Sequence, residues 1–416
     1  MMKKALFFSL FIAFLMSCGS GDNDPEIPAP IPEPPNPNAE TYFMVIAPGE
    51  NGVLLLDREG QIVHDFEVTE CLGMDANLQD DGSLILGAVS DNASIFIGGS
   101  GGKVVKQNLD GTIAWEVEFA SATQTSHHDV EVLSNGNIMV MVWERIPATE
   151  AQDNGFDGNF DIFPESIIEM NPETQQVVWE WHMMDHIVQD FDDTKANFGD
   201  VAASPHKIDI NYNSASQLDG DLVHFNGLVV DEARDLIFIT ANFYNEVWVL
   251  DHSTTTTEAA TGNGGNYGKG GDLVYRFGNP STYDNAAGMT TLNRVHHPSI
   301  LPNGNVMVFA NQVNANQSEV IEFDLPNNLV LAPNTDNEPT IAWSYTHPEL
   351  FSPITSGAVR MRNGNTLIAE GTDVTVWEVS PAGELVWQHK ETTVGLFWRV
   401  YPFYADDAAI RAIGLE

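Results

Sequence analysis

The chain has 416 residues, 59 of them Asp or Glu against 17 Lys or Arg, for a formal net charge of -42 at pH 7. A molecule this acidic lacks the electrostatic footprint of a phosphate-backbone binder, which excludes nucleic acid as a partner. With 18% charged and 43% hydrophobic residues, the acidity reflects a shortage of Lys and Arg, not a core-poor, disordered composition.

Residues 1–17 read as a secretion signal. Lys3 and Lys4 precede the apolar run Ala5 to Met16, which falls short of the roughly 20 residues that a retained transmembrane helix needs. The run closes on Leu15-Met16-Ser17-Cys18, which looks like a lipobox, so Cys18 is expected to be lipidated and to become the mature N-terminus. The protein is then expected outside the inner membrane, as a lipoprotein on the periplasmic or cell-surface face of the outer membrane. Losing Lys3 and Lys4 takes the charge from -42 to -44, and Cys71 is left without a disulfide partner. Residues 18–40 are expected to form a stiff tether, because Gly19 to Asn38 carries seven prolines and no apolar period. Asp22-Asn23-Asp24, just after the Cys, resembles the surface-export signal of some lipoproteins.

From Tyr42 onward, short β-branched and aromatic runs alternate with Asn-Gly, Asp-Gly and Ala-Gly turns, so the chain is expected to be all-β. One hairpin type ends near a Trp, as in Val104 to Val117, Ile168 to Trp181 and Val374 to Gln388. The other turns on Asn135-Gly136, Asn303-Gly304 or Asn363-Gly364, where Asn-Gly supplies positive φ angles, with weaker copies at Asp81-Gly82 and near Asp231 and Asp406. Pairing each outer hairpin with the inner hairpin that follows gives six units, roughly 43–90, 103–144, 166–242, 246–312, 318–371 and 374–410. Six four-stranded units predict a six-bladed β-propeller over residues 41–416, preferred to a β-sandwich because neighbouring blades cover one another's faces. The long connections Ile146 to Glu165, Met183 to Leu222 and Thr254 to Gly271 are expected as loop insertions forming lids on one face.

Counting back seven positions from the six inner turns (Asp81, Asn135, Asp231, Asn303, Asn363, Asp406) lands on Met74, His128, His224, His296, Ser356 and Arg399. Innermost strands surround the channel, so residues in one register should gather at one rim, predicting three histidines and an arginine together. Histidine serves as nucleophile, acid or base, and Arg399 adds a permanent charge able to hold an anion. Strand alternation should turn the neighbours His127 and His297 the other way. Isolated histidines such as His64, His182, His252 and His389 are expected as packed or surface residues. Three histidines with an open fourth position also suit zinc, but no carboxylate or Cys falls in register, and neither a metal nor another cofactor is expected.

At this point the sequence resembles the arylsulfotransferase family, bacterial enzymes that move a sulfuryl group between phenols without a nucleotide donor. The resemblance is carried by His127-His128-Asp129-Val130, Trp179-Glu180-Trp181 with Asp185-His186 and Gln189-Asp190, and His224-Phe225-Asn226. It continues through Glu246 to Thr254, Gly270 to Pro280 and Ser352-Pro353-Ile354-Thr355-Ser356-Gly357. It implies a six-bladed propeller, a phenolic sulfate donor, a phenol acceptor and a sulfohistidine intermediate, with His and Arg residues holding the sulfuryl oxygens. His224 and His296 fall on family histidines of the active centre. With His128 and Arg399 they make the candidate catalytic set, and His297, His127, Asn226 and Ser356 are candidate substrate-binding residues. The chain departs from the family at Asn311-Gln312-Val313-Asn314, where an Arg is expected. The nucleophile is not assigned, since no third family His has a clear counterpart.

Two other readings differ in class. A non-catalytic lipid-anchored propeller binding an anionic or aromatic ligand, or a protein, accounts for the missing Arg. A quinoprotein-like dehydrogenase accounts for the Asp-Gly-x-x-x-Trp hairpins, but six blades and no adjacent-Cys pair or metal carboxylate set argue against it. Trp115, Trp179 and Trp387 are instead expected to pack between blades. Phe160, Phe163, Phe191 and Tyr212 on the insertions are candidates to wall a substrate pocket.

Overall fold

A computed structural model of the protein describes residues 36–37, 39–49 and 52–415. The expected signal, Cys18 and nearly all of the tether lie outside these residues. Six four-stranded antiparallel sheets form the blades of a β-propeller. From the innermost strand outward, blade 1 is Leu72–Leu78, Leu84–Val89, Gly102–Gln107 and Ile113–Glu118. Blade 2 is Gln124–Val132, Ile138–Glu144, Glu165–Asn171 and Gln176–His182, and blade 3 is Phe225–Asp231, Leu236–Ala241, Glu246–Asp251 and Tyr275–Phe277. Blade 4 is Val295–Ile300, Val306–Asn314, Gln317–Asp324 and Thr340–Tyr345, and blade 5 is Gly357–Arg360, Thr366–Glu370, Thr375–Val379 and Leu385–Lys390.

Blade 6 joins the two ends of the chain. Arg399–Tyr404 is its innermost strand and pairs with Thr41–Ala47, followed by Gly52–Leu56 and Ile62–Asp65. The expected blade count is met, but the phase differs by two strands: each blade is an inner hairpin followed by its outer hairpin. The expected last inner hairpin is absent, because after Tyr404 the chain forms a short helix, Ala408–Ala412, and the N-terminal strand takes the vacant pairing edge. Such closure removes a free edge that would otherwise be open to another chain.

Burial follows from this packing. The second and third strands are covered on both faces, as in Leu236–Ala241 and Thr375–Val379, whose residues are all buried. Outermost strands such as Leu385–Lys390 are largely exposed. Six apolar clusters correspond to the six seams between blades. Val104 meets Val140, Met141 meets Ile239, Phe238 meets Val308, Phe309 meets Trp377, Val376 meets Phe43 and Ile46 meets Leu86 within their respective clusters. Trp179 is buried and donates its indole N–H to Thr254 Oγ1 at 3.0 Å, and Trp387 stacks on Phe43 at 4.7 Å, so both Trp hairpins close a seam. In the inner turns the glycine alone takes positive φ (Gly136 +83°, Gly304 +86°, Gly364 +86°), while Asn135 Oδ1 accepts from Asn137 N at 2.8 Å.

Residues 146–165 and 183–222 leave the end of the blades at which the innermost strands begin. By strand direction, 254–271 leaves the other end of blade 3, then packs along the edge of blade 2, where Trp181 donates to Gly271 O at 2.7 Å. His186 ties the two insertions together, with Nδ1 2.8 Å from Asp272 Oδ1 and Nε2 2.7 Å from Ala259 O. Arg276 is wholly buried, its Nε 2.9 Å from Glu246 Oε1 and its Nη1 donating to Lys207 O. These residues, which carry much of the resemblance between Glu246 and Pro280, build the scaffold and lie away from the channel cavities.

Candidate active site

The innermost strands do not run as regular β. Their ladders skip between His127 and Val130, Phe225 and Leu228, and His296 and Ser299. His128, His224, Arg294, His297, Thr355 and Ser356 all take positive φ, from 52° to 85°. Non-glycine residues in this region are uncommon and cost free energy, so a concentration of them around one axis marks a site held by its surroundings. The bulges also break simple alternation. His127 and His128, expected to diverge, have their Nδ1 atoms 2.8 Å apart because the positive φ of His128 turns its ring back.

His128, His224 and His296 line one cavity of about 570 Å³ at the end where the innermost strands begin. Its walls include Arg294, Gln312, Thr355, Phe243 and Trp398. The rings of His128 and His224 lie 4.8 Å apart edge to face, and Trp398 stands 5.5 Å from His128 and 6.3 Å from His296. The insertion aromatics do not wall it: Phe160 packs on Phe156, Tyr212 on Tyr244, and Phe191 is exposed. Loops between blades supply the apolar surface through Pro353, Ile354 and Leu396.

Each histidine has its own support. His224 Nδ1 lies 2.5 Å from Asp221 Oδ2 and its ring stacks on Phe243 at 4.6 Å. Burial pulls its pKa down, but Asp221, by its charge and its hydrogen bond, outweighs it, and the net shift is upward. His224 is therefore the cationic imidazole of the group. His296 is pushed down to about 3, by burial first and then by Arg399, and is neutral. Its Nδ1 is 2.5 Å from Asn311 Oδ1 and 3.2 Å from Arg294 O, two acceptors that keep the proton on Nδ1 and the lone pair on Nε2. Asn311 cannot turn over, because its Nδ2 donates to Ser352 O at 2.8 Å and Thr355 O at 2.9 Å.

His128 ends a buried chain. His127 Nδ1 meets His128 Nδ1, and His127 Nε2 lies 2.9 Å from Glu165 Oε2. Glu165 Oε1 accepts from Phe225 N at 2.7 Å and Trp143 Nε1 at 3.2 Å. Burial, then Asp221, pushes the Glu165 pKa well above the carboxylate range, and burial, then His224, holds both His127 and His128 well below the imidazole range. The chain is thus neutral, with Oε2–H of Glu165 donating to His127 and Nδ1–H of His127 donating to His128. His127 itself stacks on Trp143 at 3.8 Å and does not line this cavity.

The remaining expected residues sit elsewhere. Arg399 is fully buried below the cavity, its Nη1 donating to Ser356 O (2.8 Å) and Trp398 O (3.1 Å) and its Nη2 to Asn226 O (3.1 Å). It bolts blades 3, 5 and 6 together across the channel axis. Ser356 is buried, with Oγ accepting from Gly371 N. Asn226 is buried, donating to Val295 O and accepting from Thr240 Oγ1. His297 lines a second cavity at the opposite end, and Ala358 N donates to its Nδ1 at 3.2 Å. The Met74 side chain lies outside the described residues.

Arg294 was not singled out from the sequence. It is half-buried on the cavity wall, its guanidinium carbon 4.6 Å from the Phe243 ring and its Nη1 3.3 Å from Asn242 Oδ1. The counting rule passes it by, because it stands two residues before His296. It supplies a fixed cation in the cavity, whose wall includes Gln312 from the segment Asn311-Gln312-Val313-Asn314 where the family's Arg was expected. Among the described residues no three His, Cys, Asp or Glu side chains are arranged to hold a metal ion.

Comparison with known proteins agrees with this architecture. Among solved structures, a protein of unknown function from Bacteroides caccae is similar at 12% identity and a TM-score of 0.50, over 88% of this chain and 99% of that one. A putative 6-phosphogluconolactonase from Bacteroides fragilis is similar at 12% identity and a TM-score of 0.41, over 89% and 100%. The first of these likenesses speaks to fold alone, and no curated protein sequence matches significantly. The sequence model of the arylsulfotransferase (ASST) family matches residues 33–396, most of the chain and all of the residues lining the histidine cavity except Trp398, and so the protein belongs to the arylsulfotransferase family.

Proposed function

We propose that the protein transfers a sulfuryl group from a phenolic sulfate to a second phenol through a sulfohistidine at His296. The observation that carries this reading is the Nδ1–H tautomer of His296, which leaves a neutral Nε2 lone pair on the cavity wall. Nε2 attacks sulfur, the sulfur–aryl oxygen bond breaks, and its electron pair leaves on the phenolate. Cationic His224 and Arg294 hold the sulfuryl oxygens as charge moves.

His128 handles the proton. Its Nε2–H passes to the departing phenolate while the proton of Glu165 moves along through His127, leaving the carboxylate ionised. In the second half-reaction the acceptor phenol returns a proton to His128 Nε2, the relay reverses, and the phenolate oxygen displaces sulfur from His296. Phe243, Trp398 and Ile354 give the cavity the apolar walls that an aromatic ring prefers.

We also propose, on the sequence of residues 1–40, that Cys18 carries lipid and that the propeller works outside the inner membrane. The test uses 4-nitrophenyl sulfate with and without phenol, following nitrophenolate release and an acid-labile sulfur label on the protein. Phenol-dependent release, with both release and label lost in His296→Ala, is the expected result. A label that persists in His296→Ala and vanishes in His128→Ala would move the nucleophile to His128. Release from no version, over a panel of donors, would favour a binding propeller, the reading that the missing Arg in Asn311-Gln312-Val313-Asn314 also favours.

A further inference from the structure

We infer that the cavity at the opposite end of the channel binds a small organic ammonium ion between Asp75 and Asp129. This cavity holds about 400 Å³, has His297 on its wall, and lies at the opposite end of the channel from His128, His224 and His296. Asp75 and Asp129 line it on the innermost strands of blades 1 and 2, at 4% and 6% exposure. Each carboxylate is only half satisfied. Asp75 Oδ2 accepts from Asn77 Nδ2 at 3.3 Å and Val130 N at 3.4 Å, and Asp129 Oδ2 accepts from Leu228 N at 3.0 Å. Oδ1 of both residues is buried with no hydrogen-bond partner among the described residues. Asp129 Oδ1 has Arg399 Nη2 at 3.7 Å and the unbonded Trp398 indole nearby, but Asp75 Oδ1 has no donor.

Buried carboxylate oxygens are ordinarily paired, and one left unpaired costs free energy that a ligand can recover. Glu131 on the same wall adds a third acid, which burial pushes up to about 8. Burial and then Asp129 push Asp75 up to about 8, which is how the site relieves its repulsion when only protons are on offer. The choice of cation follows from the walls. Among the described residues no three His, Cys, Asp or Glu side chains can close on a metal ion, whereas Leu228, Tyr401 and Phe403 present apolar and aromatic surface. An ammonium group on a small hydrocarbon meets both features, donating to the two Oδ1 atoms and laying its body on the rings.

The test is calorimetric titration of the full chain with benzylammonium chloride, benzyl alcohol and calcium chloride. Saturable binding of benzylammonium and none of benzyl alcohol is expected. The affinity should fall about tenfold or more in Asp75→Asn and in Asp129→Asn, and hold in His296→Ala, which alters only the other cavity. If either Asp variant fails to fold, the wild-type melting temperature decides, rising with benzylammonium and not with the alcohol. No saturable benzylammonium binding, equal binding of the alcohol, affinity unchanged in both Asp variants, or calcium binding that shuts benzylammonium out would each overturn the inference.

Discussion

Asn311 Oδ1 sits 2.5 Å from His296 Nδ1, and Asn311 is itself locked by the carbonyls of Ser352 and Thr355, so the connection between blades 4 and 5 dictates which nitrogen of His296 carries its proton. Asn311→Ala removes the acceptor and frees the tautomer. Transfer should slow about 10–100-fold in kcat with KM little changed, since the substrate still meets the same cavity walls. Stopped-flow measurement of protein sulfation under single-turnover conditions checks this, and an unaltered rate of labelling would remove Asn311 from the mechanism.

His224 gives the reaction an alkaline limit. Its folded pKa is raised, against burial, by Asp221, so its charge is present below that pKa and is lost as pH rises through it. Activity should therefore decline above the ordinary imidazole range, and Asp221→Asn should move that decline to lower pH. The same linkage makes the Asp221–His224 contact contribute stability that is fully present below pH about 6.5 and lost as pH rises through the folded pKa. A pH profile of kcat/KM for both proteins is the measurement, and superimposable alkaline limbs would refute the assignment.

Gly99 is the residue on which His128 rests. A Cβ there would lie 2.2 Å from His128 Cε1, the residue has φ +93°, and its carbonyl accepts the His128 N–H at 3.0 Å. Gly99→Ala should destabilise the fold by about 1–3 kcal/mol and displace the ring into the cavity. Gly98→Ala, whose Cβ would meet nothing within 4 Å, is the matched control. Melting temperatures and transfer rates of the pair should separate, with only the Gly99 variant impaired.

The net charge of -42 repels a sulfate ester at long range, while the cations that receive it lie inside the cavity. Screening should weaken the repulsion more than the short contacts, so kcat/KM should rise about two- to tenfold between low and moderate salt. A steep fall with salt would show that long-range attraction governs encounter and would contradict the proposed anionic donor.

The propeller was legible because its repeat is local. Asn-Gly turns, Trp-ended outer hairpins and a constant seven-residue offset follow from the two-residue period of strands, and that period suffices to bring His128, His224 and His296 together. What the period could not reveal is where it fails. Positive φ at His128 and His297 sends one ring toward its own neighbour and the other to the opposite end of the channel. Arg399 shares the register but not the cavity, because its guanidinium finds three backbone carbonyls one level lower. Asp221, Asn311 and Glu165 come from a loop, a second strand and a third strand, and carry no signal beyond their side-chain type. Blade phase was ambiguous for a related reason: inner and outer hairpins alternate evenly, and only the pairing of Arg399–Tyr404 with Thr41–Ala47 fixes where a blade begins.

Glu165 offers the sharpest test of the proton relay, because glutamine can imitate its neutral form. With Oε1 still accepting from Phe225 N and Trp143 Nε1, the new amide would donate to His127 Nε2 as the carboxyl hydroxyl does, so the fold and the His127 orientation should survive Glu165→Gln. An amide cannot release that proton. A leaving group stable as phenolate, 4-nitrophenol, scarcely needs it, whereas phenol does. First-turnover release from 4-nitrophenyl sulfate should then change less than about threefold, while first-turnover release from phenyl sulfate should fall about 10²–10⁴-fold, the usual span of general acid catalysis. Plotting log kcat/KM against leaving-group pKa for wild type and variant gives the answer: a steeper slope in Glu165→Gln supports the relay, and parallel lines would mean that His127 and Glu165 only prop up His128.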